Sequence, residues 1–114
     1  MDGALNLSEV FGKVMELQRR LAETQQTLGN RTVTVETGGG MVRVTANGLQ
    51  RIVRLEIDPE AFRAEEQEML EDLIVAGVNK ALEEAARLAR EEMQKAAGAV
   101  LPPGLNIDLG ALGL

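Results

Sequence analysis

The ionisable side chains of this 114-residue chain are carboxylates, lysines and arginines, because it contains no histidine and no cysteine. The lack of histidine removes the usual general base near neutral pH and the commonest metal ligand. The lack of cysteine excludes disulfides, thiolate nucleophiles and zinc–thiolate sites. The composition therefore predicts a protein that is not an enzyme and that takes no cofactor, metal or small-molecule substrate.

Basic side chains on two predicted helices are the candidates for binding DNA phosphates. Lysine and arginine hold a duplex through phosphate contacts that carry no sequence information. The alternative is a solvated helix face, because several acid–base pairs have helical spacing. These pairs are Glu16–Arg19, Glu16–Arg20, Glu83–Arg87 and Glu91–Lys95. The candidate DNA-binding residues are Lys13, Arg19, Arg20, Arg87, Arg90 and Lys95.

A group of acidic residues could suggest a metal site or a pair of catalytic carboxylates. Without a histidine to order them, these acids are better explained by solvation and by the start of a helix, where the dipole favours negative charge. They could also repel DNA from the body of the protein. The glycine run 38–40 precedes a predicted strand rather than a helix, so it is not a phosphate-binding loop. The acidic residues are Glu60, Glu65, Glu66, Glu68, Glu71 and Asp72.

The net charge of −6 opposes binding to phosphate, but it is unevenly distributed. Residues 1–57 contain seven basic and six acidic side chains, whereas residues 58–114 contain five and twelve. The two aromatic residues, Phe11 and Phe62, provide little stacking surface for single-stranded bases. Arg43 and Arg54 could form a second phosphate-binding surface, although structural or interface roles are favoured for them and for Arg51.

The spacing of apolar residues predicts a helix over residues 6–28, with Asn6 or Ser8 as its N-cap. Three antiparallel strands are predicted at 31–37, 41–46 and 49–57, and Asn47-Gly48 predicts a tight hairpin turn between the last two. Alternation gives this sheet one polar face and one apolar face. The predicted apolar face consists of Val33, Val35, Val42, Val44, Ala46, Leu49, Val53, Leu55 and Ile57.

A long second helix is predicted over about residues 65–97, and Gly98 is predicted to end it. The chain is thus expected to form one α+β domain over 1–98, followed by an extended apolar tail over 99–114. This tail contains two prolines, three glycines and five leucines. It is expected to strap the partner protomer, or else to dock another protein. No apolar stretch approaches the roughly 20 residues needed to cross a bilayer, so no membrane partner is expected.

The length of the second helix predicts a homodimer. A helix of about 33 residues measures roughly 50 Å, whereas a compact globule of this chain length has a radius of gyration of about 13 Å. The helix must overhang the small sheet, and the first helix can pack antiparallel to its outer part. Two helices and three strands still leave more aliphatic surface than one copy can bury, so we expect a second copy to cover it.

Several stretches of the sequence resemble the YbaB/EbfC family. They are VTANGLQRIVRLEIDPE at 44–60, EMLEDLIVAGVNKALEEA at 68–85 and LPPGL at 101–105. The N-terminal helix, the glycine-rich turn and Met41-Val42 also follow the order of the family. The chain differs at Gly77, where the family often has alanine, and this difference affects no functional expectation.

The resemblance implies a helix–sheet–helix protomer whose dimer carries projecting helical arms. Family members are nucleoid-associated proteins that bind double-stranded DNA with low or variable sequence preference. The expected protein is therefore cytoplasmic, located at the nucleoid, and able to affect nucleoid organisation and gene expression. The alternative is an acidic interaction scaffold for DNA replication or repair proteins, with only incidental DNA binding. The net charge and the apolar tail favour that alternative.

Overall fold

The computed structural model describes residues 6–62 and 66–101. An α-helix, α1 (Leu7–Leu28), precedes three strands, β1 (Thr32–Thr37), β2 (Val42–Asn47) and β3 (Ile52–Ile57). A short 3₁₀ helix (Pro59–Ala61) then leads to a second α-helix, α2 (Gln67–Val100). The predicted α+β class is confirmed, with its N-terminal helix, three-stranded antiparallel sheet and long C-terminal helix. None of the described helices is both long and apolar enough to cross a membrane.

Asn6 is the N-cap of the first helix, which confirms one of the two N-caps that the sequence predicts. Its side-chain Oδ1 accepts a hydrogen bond from the Ser8 amide at 2.9 Å, and its carbonyl accepts one from the Val10 amide at 3.0 Å. These bonds satisfy amide groups that the first turn of a helix leaves without partners. At the other end, the carbonyl of Leu28 accepts hydrogen bonds from the amides of Arg31 and Gly48.

The sheet has the order β1-β2-β3, so β3 is an edge strand. The central strand is buried on one face through Val42, Val44 and Ala46. These residues pack with Leu70, Ala81 and Ala85 of α2, and half-buried valines of β1 join them. The predicted apolar face is therefore confirmed for β1 and β2, because α2 covers it there. On β3 it is confirmed at Ile57, which packs against this core, but it fails at Val53 and Leu55, which remain exposed.

The predicted hairpin turn at Asn47-Gly48 is confirmed, since the Gln50 amide donates to the Asn47 carbonyl at 2.9 Å, but the connection is longer than a two-residue turn. The loop runs from Asn47 to Arg51, whose carbonyl accepts a hydrogen bond from the Asn47 amide at 2.9 Å. The side chain of Asn47 accepts bonds from the amides of Leu49 and Arg51, and Gln50 takes the positive φ of 59°. Gly48 serves a different purpose, since a Cβ there would lie 2.8 Å from Leu28 Cδ2.

The loop delays the start of β3 and introduces a bulge into it. Thr45 pairs with Arg54, whereas Ala46 pairs with Ile52, so Val53 is the additional residue on the third strand. A bulge of this kind interrupts the alternation of side chains between the two faces. Ile52, which alternation assigns to the polar face, therefore lies opposite the buried Ala46.

The second helix continues past its predicted end. Gly98 lies within it, and the Leu101 amide donates to the Ala97 carbonyl at 2.9 Å. Ala97 and Val100 are buried, so packing of the last turn outweighs the weak helical preference of glycine. The predicted start at residue 65 and the predicted tail beyond residue 101 lie outside the described residues.

The chain divides into two compact units. The sheet unit spans residues 28–89 and contains the core between β2 and α2. The helical unit contains residues 6–27 and 90–101 among those described. Its own core consists of Met93 and Ala97, against which Leu17, Leu21 and Leu101 pack. Leu17 and Leu21, which belong to a seam of apolar residues spaced three and four apart along α1, thus contact the last three turns of α2.

Candidate nucleic-acid interface

The three candidate basic residues of α1 are all exposed to solvent. Nη1 of Arg19 lies 2.8 Å from Glu23 Oε1, one helical turn further along. Lys13 and Arg20 make no ion pair with any described residue. By helical spacing, these two cations share one flank of α1, and Arg19 lies on the opposite flank. A row of glutamates at Glu9, Glu16 and Glu23 separates them, so α1 has no purely basic face.

The three candidates of α2 are also exposed, but they belong to different units. Arg90 and Lys95 lie in the helical unit, and Arg87 lies in the sheet unit. Nζ of Lys95 is 3.5 Å from Glu92 Oε1, and Arg87 Nη2 is 2.7 Å from Glu84 Oε2. Five of the six predicted residues are therefore in the helical unit, together with an equal number of acids among its described residues.

The ion pairs differ in part from those that spacing predicts. Glu16 pairs with neither Arg19 nor Arg20 among the described residues, because Arg19 is directed toward Glu23. On α2, Glu84 lies between two cations, at 3.4 Å from Lys80 Nζ and 2.7 Å from Arg87 Nη2. The hydrogen bond from Lys80, together with the charges of Arg87 and Lys80, lowers the pKa of this carboxyl. Arg87 would have to exchange Glu84 for phosphate in order to bind DNA.

Two arginines on the outward face of the sheet form ion pairs with glutamates. Arg43 and Glu36 are direct partners across β1 and β2, with Arg43 Nη2 at 2.7 Å from Glu36 Oε1. Arg54 Nη2 lies 3.0 Å from Glu56 Oε1 on β3. Because each cation is matched by a carboxylate, this face offers no net positive charge at these positions.

The predicted acidic group lies around the start of α2. In the described ranges, no three acidic side chains are placed so that they could hold a metal ion together. Glu68 is in the first turn of α2, and Glu60 is in the first turn of the 3₁₀ helix. The carboxylate of Asp58 caps that 3₁₀ helix, because its Oδ1 accepts a hydrogen bond from the Glu60 amide at 3.0 Å. The position of Glu65 is outside the described residues.

The structure adds an exposed apolar surface, three of whose four residues alternation assigns to the apolar face of the sheet. On β3 and the loop before it, Leu49, Ile52, Val53 and Leu55 are 38–53% exposed. The sequence contains one signal of this exposure, since Arg51 falls within the alternating apolar set and Ile52 falls within the polar set. A strand whose alternation breaks in this way is unlike the regular central strand β2. We refer to the four residues as the β3 surface.

The chain is similar to known proteins over most of its length. The model of the YbaB/EbfC DNA-binding family matches residues 2–100. A nucleoid-associated protein of Pelotomaculum thermopropionicum is 44% identical over 100 residues, which cover 88% of this chain and 95% of that protein. A nucleoid-associated protein of Moorella thermoacetica is 42% identical over 102 residues, which cover 90% and 98%.

A solved structure supports the fold. The crystal structure of the uncharacterized protein HP0035 from Helicobacter pylori is similar with a TM-score of 0.65. The match covers 77% of this chain and 92% of the HP0035 chain at 22% sequence identity, so the likeness concerns architecture alone. The family match, in contrast, extends over both helices and the whole sheet. This chain belongs to the YbaB/EbfC DNA-binding family.

Proposed function

We propose that this protein is a nucleoid-associated protein that binds double-stranded DNA as a homodimer, without catalysis and with low sequence specificity. The family match over residues 2–100 is the observation that carries the proposal. The names of the relatives from Pelotomaculum and Moorella agree with it. The proposal places the protein at the nucleoid, within the cytoplasm, where it affects nucleoid organisation and gene expression.

The distribution of charge supports DNA binding through the helical unit. Residues 28–89 contain seven basic and eleven acidic side chains, whereas residues 1–27 and 90–114 contain five and seven. A duplex is therefore repelled by the sheet unit more strongly than by the helical unit. Exposed lysine and arginine side chains can exchange their carboxylate partners for phosphates, since exposed ion pairs are worth only about 0–1 kcal/mol.

The β3 surface supports a dimer. An edge strand leaves backbone donors and acceptors unpaired, and a contiguous exposed apolar surface marks an interaction site. Both features coincide on β3, where exposed aliphatic residues lie along an edge. A second copy that covers this strand would bury them. Dimerisation would also double the number of basic side chains that one duplex can contact.

The DNA-binding residues can be tested by the salt dependence of affinity. Replacing Arg19, Arg20, Arg87 and Arg90 together by alanine should weaken binding to a DNA duplex. The slope of log K against log salt should fall by roughly 0.9 for each phosphate that the variant no longer neutralises, because fewer counterions are released. Fluorescence anisotropy with labelled duplex at several salt concentrations measures both quantities.

The matched control removes the same number of charges from the sheet unit. Replacing Arg43, Arg51, Arg54 and Lys80 by alanine should reduce affinity less and leave the slope nearly unchanged. Equal effects of the two quadruple variants would show that net charge, rather than the six candidate residues, governs binding. Thermal melting of both variants establishes that each is folded.

A second candidate function is an acidic interaction scaffold for DNA replication or repair proteins. The observation that favours it is the pairing of candidate cations with acids, at Arg19–Glu23 and Arg87–Glu84. A scaffold that touches DNA incidentally should lose the duplex at about 150 mM salt, as sequence-independent electrostatic binding weakens steeply. Retention of a duplex at that salt concentration with competitor DNA present would favour the nucleoid-associated role.

A further inference from the structure

The first two turns of α1 expose an apolar stripe. Leu7, Val10, Phe11 and Val14 are between 37% and 68% exposed. Leu7, Val10 and Val14 continue, at the same alternating three- and four-residue spacing, the seam on which Leu17 and Leu21 pack against Met93 and Ala97. In the described residues of the helical unit, the covered part of the seam thus ends near Leu17. We call the four exposed residues the α1 stripe.

We propose that residues 102–114 of this same chain cover the α1 stripe. Leu101, the last described residue of this part of the chain, packs on the cluster that contains Leu17 and Leu21. The segment that follows it therefore begins beside the point where the covered seam stops. Pro102 and Pro103 cannot extend the α2 hydrogen-bond pattern, so a further turn of α2 is not available to cover the stripe.

The composition of the segment fits this surface. Its thirteen residues contain one charged side chain, Asp108, and six apolar ones. The apolar residues are Leu105, Ile107, Leu109, Ala111, Leu112 and Leu114. On α1, Lys13 flanks the stripe and provides an opposite charge for Asp108. An apolar segment with one acid therefore matches an apolar stripe with one neighbouring base.

Reach and tethering favour this segment over a separate molecule. The stripe from Leu7 to Val14 extends about 10 Å along the helix, whereas thirteen extended residues reach roughly 40 Å. A short flexible tether also gives an effective concentration in the millimolar range. A second copy or another protein must compete against that concentration for the same four residues.

Paired cysteines test the proposal directly, because the chain has no cysteine of its own. In the double variant Val10→Cys, Leu109→Cys, mild oxidation should produce a disulfide within one chain, detected as an unchanged chain mass on a non-reducing gel and by peptide mapping. The matched control is Ile52→Cys, Leu109→Cys, since Ile52 is similarly exposed but lies on the β3 surface. The control should cross-link at least tenfold more slowly at equal protein concentration.

A second measurement makes the result independent of cysteine chemistry. Deleting residues 102–114 should accelerate amide hydrogen exchange at residues 10–15 and leave exchange in β2 unchanged. A disulfide between two chains would overturn the proposal in favour of a second copy as the occupant. Equal cross-linking of the two double variants, or unchanged exchange after the deletion, would also overturn it.

Discussion

At the scale of single residues, the candidate DNA-binding side chains differ in what they must give up to reach a phosphate. Arg19 and Arg87 are bound to carboxylates at 2.8 and 2.7 Å. Lys13 and Arg20 have no such partner among the described residues. Arg19 and Arg87 must therefore break an ion pair with a described residue on binding, whereas Arg20 need not. Removing one acid should reveal this difference.

Replacing Glu23 by glutamine should raise the affinity for duplex DNA, because it releases Arg19. The expected gain is about twofold to fivefold, which corresponds to an exposed ion pair of roughly 0.4–1 kcal/mol. Glu36→Gln is the control, since it makes the same change in net charge and releases Arg43 on the sheet. Fluorescence anisotropy at constant salt compares the two variants. Equal gains would contradict a binding site on the helical unit.

At the scale of elements, two glycines set how closely neighbouring segments approach. A Cβ at Gly77 of α2 would lie 2.9 Å from Val44 Cγ2 on β2, so the lack of a side chain allows the helix to lie close to the sheet. Gly48 allows its loop to approach the end of α1, where its amide donates to the Leu28 carbonyl at 3.0 Å. Neither glycine has a positive φ, so what matters at both positions is the lack of a side chain.

Replacing Gly48 by alanine should destabilise the protein by about 1–3 kcal/mol, the usual range for overpacking. The new Cβ would lie 2.8 Å from Leu28 Cδ2 and 2.9 Å from the backbone oxygen of Leu28, so the backbone must move. Gly12→Ala is the control, because α1 has open space there and alanine favours a helix by up to about 1 kcal/mol. Urea unfolding measures both. A stable Gly48→Ala variant would contradict this role.

The elements also show which features local sequence patterns can predict. The alternation of β1 and β2 and the spacing of Leu17 and Leu21 on α1 predict those elements, since these apolar residues pack on α2 as expected. Asn47-Gly48 misleads only on the length of its turn, and Gly98 on the end of α2, because contacts distant in sequence decide both. Leu28 contacts Gly48, and packing of Val100 and Leu101 sustains the helix beyond Gly98. The candidate cations were predictable by position, but their carboxylate partners depend on rotamers.

At the scale of the whole molecule, the two units expose different kinds of surface that a partner could cover. The sheet unit exposes the β3 surface, and the helical unit contains most of the candidate cations. The proposed dimer assigns self-association to the first and DNA to the second. These roles should therefore be separable by mutation, with one variant for each unit.

Val53→Asp should convert the protein from dimer to monomer, because it places a charge on the apolar edge strand that a second copy would desolvate. Sedimentation velocity at micromolar concentration measures the change. Val75→Asp is the control, since Val75 is a similarly exposed valine on α2. DNA affinity of the Val53 variant should fall, because a monomer neutralises fewer phosphates. A parent protein that sediments as a monomer would contradict the dimer itself.

The bulge at Val53 has a consequence for how many copies can associate. It leaves β3 with one residue more than β2 needs, so the hydrogen-bonding groups of this edge are not evenly spaced. A regular foreign strand cannot match such an edge along its full length. An identical strand related by two-fold symmetry would present the same irregularity and would occupy the β3 edges of both copies at once. The extra residue therefore favours a closed pair over open-ended stacking into fibres.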